Sequence, residues 1–290
     1  LTDSQPDRKH EEELKSRGIV LTDFCSFKDA SSFTSLHLLS STSFFLLARF
    51  HTRRGPAAMT PNKEEIHTLV EQLMQRMRTG LNLKKEALSS LDYAALEKAA
   101  TVNIQEHAVE NDLFKGIAAA VAEAGPWKAS MELVAKKAGL SKSGLYAHFK
   151  SKQDMLRQLF MREFEKIAEV IQSKTGYSEK AYEKLYLIII ALETYLRSRP
   201  EIMASLDWIR IQRLDLGTAI PASMYDMFKL KLETACPEET GLPPEELAPW
   251  VIFLVVGLLM KDSQSGETLP LHAGMRSLYQ YVTRGMEGWK

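Results

Sequence analysis

The chain has 290 residues, 45% hydrophobic and 26% charged, an ordinary globular composition with room for two domains. Lysine plus arginine and aspartate plus glutamate both number 37, so the net charge is zero and by itself implies no polyanionic partner. The two cysteines, Cys25 and Cys236, stand at neither metal nor redox spacing, which argues against a disulfide scaffold and fits a reducing, cytoplasmic compartment.

Residues 1–58 do not read as a domain. A charged start gives way to a Ser/Phe/Leu run at 31–50 that holds neither helical nor strand period. Its apolar part, 36–50, is too short and too serine-broken to span a bilayer and lacks the layout of a signal peptide, so no membrane role is expected. The absence of acids from 30 to 58, with Arg49, Arg53 and Arg54 present, leaves an organelle transit peptide as an alternative. The preferred expectation is a disordered tail or non-native sequence upstream of a start at Met59.

Residues 59–110 are expected to form a helical extension. Ile66, Leu69, Val70, Leu73, Met74 and Met77 make a helical stripe over 63–78, ended by Gly80, and 84–100 forms a second run carrying Leu88, Leu91, Ala95, Leu96 and Ala99. The stretch 91–109 faintly echoes 133–149, as a degenerate duplication would. Glu106 and Glu110 on its exposed side would repel phosphate, so it reads as a packing or dimer-supporting extension.

The most informative stretch is 130–154, within a domain expected at 111–157. A first helix at 111–124 turns Leu113, Phe114, Ile117, Ala118, Val121 and Ala122 inward. Ser130 then caps a short helix with Met131, Val134, Ala135 and Ala138 on one face, and Gly139 ends it. Ser141 caps the next, in which Leu145 and Phe149 point inward and leave Lys142, Ser143, Tyr146, Ala147 and His148 outside. Ser151, with Asp154 three residues on, opens a third. Two short helices around a glycine turn match a helix-turn-helix that places its second helix in the DNA major groove. Lysines outnumber acids between 112 and 154, a locally positive head on a neutral chain. His148 has no Cys or second His at metal spacing, so no metal role is assigned to it.

The ordered series Gly125, Trp127, Ser130-Met131, Ala135, Ala138-Gly139-Leu140-Ser141, Leu145-Tyr146, His148-Phe149 and Ser151-Lys152 resembles the DNA-binding domain of the TetR family of bacterial regulators. The resemblance implies that Lys142, Ser143 and Gly144 face base edges and that Tyr146, His148 and Lys152 contact phosphate, with Ser130 and Ser141 at the same surface. It implies double-stranded DNA with a near-palindromic operator as partner, and a homodimer. The helical extension is a departure from the family pattern.

Residues 158–290 are expected to be a helical ligand-binding and dimerisation body. A connector at 153–174 carries Met155, Leu156, Leu159, Phe160, Phe164, Ile167 and Ile171; helices follow at 179–197, 201–216 and 221–235. Met203, Trp208, Met224, Tyr225 and Phe228 are candidates to line an apolar pocket, with Arg210 or Arg213 to orient a polar group on a small apolar effector. Residues 249–260 are apolar all round, and 272–287 has a helical stripe. Trp250, Phe253, Leu254, Leu258, Leu278, Tyr279 and Val282 are therefore expected at a four-helix dimer interface.

No phosphate loop, no GxSxG elbow and no metal-spaced cluster occurs, and the seven histidines are scattered, so neither catalytic residues nor a cofactor are expected. The expected protein is an all-helical transcriptional regulator, a repressor released by its effector. The alternative is a lipid- or isoprenoid-binding accessory protein that reuses the fold without touching DNA.

Overall fold

The computed structural model describes residue 42 and residues 63–83, 88–101, 112–200, 202–203, 244–265 and 271–286. Among these, every regular element is helical: α1 (Lys63–Thr79), α2 (Tyr93–Ala100), α3 (Asp112–Lys128), α4 (Met131–Lys137), α5 (Lys142–His148), α6 (Lys152–Thr175), α7 (Ala181–Ser198), α8 (Pro244–Ser265) and α9 (Ala273–Arg284).

Helix α7 is the axis of the body. From Leu185 to Leu192 its side chains are all fully buried, because it packs against α6, α2, α8 and α9 at once. A helix enclosed on every side must be apolar on every side, and the run Leu185-Tyr186-Leu187-Ile188-Ile189-Ile190-Ala191-Leu192 meets that demand. Three buried glutamates tie its neighbours together. Glu163 on α6 accepts from Tyr195 Oη at 2.7 Å and from Arg199 at 3.3 Å. Glu193 on α7 accepts from Arg197 Nε at 3.1 Å and pairs with His272 Nδ1 at 2.5 Å. Glu97 on α2 accepts from Tyr186 Oη at 2.6 Å and from both Nε and Nη2 of Arg276 on α9, each at 2.7 Å. Buried carboxylates persist only where such donors offset their lost hydration. Around the last of these, the rings of Tyr93, Tyr186 and Tyr279 meet edge to face at 5.0–6.4 Å.

One expectation changes. The run at 84–100 is not one helix. Asp92 caps α2, its carboxylate accepting from Ala95 N–H at 3.1 Å, after a turn in which Leu91 N–H bonds Leu88 O. The extension packs on the body, α1 on α9 and α2 on α6 and α7 of the same chain. Finally, Trp250, Phe253, Leu254, Leu258, Leu278, Tyr279 and Val282 are at most 3% exposed within a single chain. All seven side chains pack inside the single chain. The physical reason is that α7 covers one side of α8 and α9, and residues from the amino-terminal extension reach the other.

Of the expected pocket residues, Met203 is half-buried against the core, whereas Trp208, Arg210, Met224, Tyr225 and Phe228 lie outside the described residues, as do the expected helix at 221–235 and most of that at 201–216. Within 1–58, only Thr42 is described, and it is buried.

Candidate nucleic-acid interface

The head is built from α3, α4 and α5. The expected first helix, 111–124, corresponds to the regular part of α3, because the backbone departs from helical geometry at Gly125. Helix α4 begins where Ser130 Oγ accepts from Leu133 N–H at 3.2 Å. It ends in a paired terminus: Gly139 N–H bonds Lys136 O and Leu140 N–H bonds Ala135 O at 2.8 Å, with Gly139 at φ +66°. That left-handed turn favours glycine and satisfies carbonyls the helix would otherwise orphan. It also swings the chain so that Ser141, two residues later, caps α5.

Helix α5 starts as expected, with Ser141 Oγ accepting from Gly144 N–H at 3.0 Å and lying 3.1 Å from Ser143 Oγ. Leu145 and Phe149 are buried, and the Phe149 ring meets Phe114 of α3 edge to face at 6.2 Å. This anchoring fixes the rotation of α5 about its axis. Lys142, Ser143, Tyr146, Ala147 and His148 consequently face solvent, Tyr146 being 48% exposed. Ser151 caps α6 by accepting from Asp154 N–H at 3.1 Å. The return bond from Asp154 goes one residue further back than a capping box would take it, to Lys150 N–H at 3.0 Å. That bond, joined by Gln158 and Arg157, holds the Asp154 carboxyl below its ordinary range. Arg162 of α6 lies over the Phe114 ring at 4.9 Å, which ties the long helix to the head.

Five of the eight candidate residues, Lys142, Ser143, Gly144, Tyr146 and His148, therefore share α5, with Ser141 as its cap. Lys152 sits half-buried on the first turn of α6, where burial pushes its ammonium pKa down. Ser130 stands apart at the start of α4. The hydroxyls of Ser130 and Ser141 accept from backbone amides in the caps, a structural role that still leaves their O–H protons to donate.

Sequence reasoning missed Glu132. Its carboxylate pairs with Lys142 across the turn, which raises the lysine's pKa and lowers that of the glutamate. A similar exposed pair joins Lys137 to Glu123. The available signal was the position of Glu132 in the first turn of α4, ten residues before Lys142 and on the adjoining helix. Both groups are solvated, so the pair is weak and screened by salt. Phosphate must nevertheless displace this carboxylate to reach Lys142. Glu132→Gln is expected to tighten DNA binding a few-fold at low ionic strength, with the gain shrinking as salt rises; competition titrations of the two proteins on one duplex check this.

Residues 113–159 match the profile of the bacterial regulatory proteins, tetR family. Among solved structures, the chain is similar to the transcriptional regulator FadR from Bacillus subtilis in complex with stearoyl-CoA, at 17% identity and a TM-score of 0.49, covering 60% of this chain and 97% of that one. It is also similar to the fatty acid degradation regulator FadR from Bacillus halodurans, at 17% identity and a TM-score of 0.47, covering 59% and 93%. No curated protein matches the sequence significantly.

Proposed function

We propose that this chain, whose residues 113–159 match the tetR family of bacterial regulatory proteins, is a sequence-specific transcriptional regulator that binds double-stranded DNA. The observation that carries this reading is the outward face of α5. Its hydroxyl, imidazole and ammonium groups line one side of a helix whose other side is locked by Leu145 and Phe149. Lys142, Ser143 and Gly144 lead into the groove and meet base edges, while Tyr146, His148 and Lys152 hold phosphates. Two chains place two heads on the half-sites of a near-palindromic operator.

The regulator is a repressor released by a small apolar effector. Methionines and aromatics concentrated at 203–228 support this class of ligand, with Arg210 to orient a polar end. The continuity of α6 from the head into contact with α7 supplies a path by which an effector favours a head spacing that no longer fits successive major grooves.

The test is a fluorescence-anisotropy titration against the DNA upstream of the protein's own gene and a scrambled duplex, at two salt concentrations. Lys142→Ala is expected to weaken specific binding by about tenfold or more and to relax sequence preference. Lys152→Ala should weaken binding to both duplexes alike and reduce the salt slope by about one. Two variants that bind like the parent would overturn the assignment of these residues.

A further inference from the structure

We propose that Glu132 is a specificity-determining residue of the head, and that together with Lys142 it reads one G·C base pair, the ammonium taking the guanine and the carboxylate the cytosine. This rests on the regulator reading above and names the base pair that its recognition helix prefers.

The two side chains come from different helices. Lys142 opens α5 directly after its cap at Ser141, and Glu132 lies in the first turn of α4. Across the turn between them the ammonium pairs with the carboxylate. Both groups are exposed, and Tyr146, one helical turn from Lys142, shares the outward side of α5 with them. The carboxylate is positioned as well as paired. Besides Lys142, its own backbone N–H and the Ser130 hydroxyl bond it, and together they hold it ionised, below the ordinary carboxylate range.

A carboxylate at a DNA-reading surface is unfavourable in general, because phosphate offers only acceptors and repels it. The dipole of α4 favours a negative charge in its first turn, but any first-turn position supplies that. This position adds a partner, so that a donor and an acceptor stand side by side with no net charge. Such a couple is mismatched to phosphate and matched to the major-groove edge of a base pair. Guanine presents O6 and N7 as acceptors to the ammonium, and the paired cytosine presents an N4–H donor to the carboxylate. An A·T pair suits it less. The N6 donor and N7 acceptor of adenine fit an amide, which gives one bond and takes one, and not a carboxylate that only accepts.

Phosphates and other base pairs reach Lys142 only by opening its pair with Glu132. The carboxylate therefore discriminates by penalising the wrong contacts as much as by favouring the right one. The few-fold gain expected from Glu132→Gln is accordingly uneven, largest on sequences that lack the G·C pair and smallest on the operator.

The experiment selects duplexes from a library with a randomised core, using the full chain and then Glu132→Ala, Glu132→Gln and Lys142→Ala. Glu123→Ala, which breaks the other exposed pair of the head with Lys137, is the control. The parent is expected to enrich a motif with one cytosine per half-site favoured about tenfold over other bases. Glu132→Ala should lose that preference and keep the rest of the motif, Glu132→Gln should admit A·T at the same position, and Lys142→Ala should relax the same base pair. Glu123→Ala should select the parent's motif. Anisotropy titrations then compare the selected duplex with one carrying N4-methylcytosine at that position, which blocks the amino edge facing the groove. The parent should bind the methylated duplex about fivefold or more weakly, and Glu132→Ala should bind the two alike. A motif that Glu132→Ala selects unchanged would overturn the proposal and leave the regulator reading standing. So would a parent indifferent to the methyl group, a readout that needs no variant to fold. A parent that enriches no motif at all would overturn both.

Discussion

Phe149→Ala should unfold the head and abolish DNA binding while the body remains folded. The ring is 2% exposed, closes the core between α3 and α5, and meets Phe114 edge to face. Truncating a buried phenylalanine costs about 3–5 kcal/mol, and the lost ring pair adds about 1 kcal/mol. A three-helix head has little surface to bury and a correspondingly small margin, so a loss of this size exceeds what it can spare. A thermal melt followed by circular dichroism should show the head's transition moved below ambient temperature while that of the body persists. Binding in the anisotropy assay should vanish on every duplex, unlike the graded loss from Lys152→Ala. A variant that melts like the parent would mean that the ring is not the keystone its burial indicates.

Glu97→Gln should destabilise the body and flatten its response to acid. Burial works against the Glu97 carboxylate, but hydrogen bonds from Arg276 and Tyr186 together outweigh it and hold its pKa below the ordinary 4.5. The substitution leaves Tyr186 and Arg276 facing a neutral amide. Breaking a fully buried pair costs about 3–5 kcal/mol, but the Arg276 side chain is 46% exposed and can return to water, so a loss of about 2 kcal/mol is the appropriate size. For a body of this length that lowers Tm by roughly 4–8 °C. The sign with pH follows from the direction of the shift. A group whose folded pKa lies below its unfolded one binds fewer protons when folded, so its stabilisation is present above pH 4.5 and is lost as pH falls through the folded value. The parent should therefore lose more stability than the variant between neutral pH and that window. Denaturant melts at neutral and acid pH measure the difference, and parallel curves would remove Glu97 from the account. Burial and the Glu97 carboxylate also push the Tyr186 hydroxyl well above its usual range, so the phenol stays a donor throughout.

The elements of the head were legible because their determinants are local. Caps at Ser130, Ser141 and Ser151 act within three residues, and the Gly139 turn needs only its own backbone. The inward pair Leu145 and Phe149 fixes which side of α5 faces out, so the exposed candidates could be read from spacing alone. Glu132 escaped because its partner lies on the next helix, and the geometry of the turn, not the spacing of either helix, brings them together. The break before α2 escaped for a different reason. The apolar spacing of 84–100 continues through it, and a cap at Asp92 competes successfully with that periodicity.

The sequence by itself determined the helical class, the boundaries of the long helices α6 and α7 to within one or two residues, and which side of α5 faces outward. All of these follow from period, caps and turn residues, which operate over one or two turns of chain. Only the tertiary structure decided what covers α8 and α9. An apolar side announces that it will be buried but carries no label for its partner, and hydrophobic contact is non-directional. Trp250 was therefore equally consistent with a second subunit and with the chain's own amino-terminal residues, of which Arg76 lies over its ring and Thr42 accepts from its Nε1. Within the chain, Leu81 N–H bonds Val282 O, Leu83 N–H bonds Thr283 O, and Gly80 and Gly285 let the two backbones approach closely. The same holds for Glu97, Glu163 and Glu193, whose burial is tolerable only because donors from distant helices converge on them.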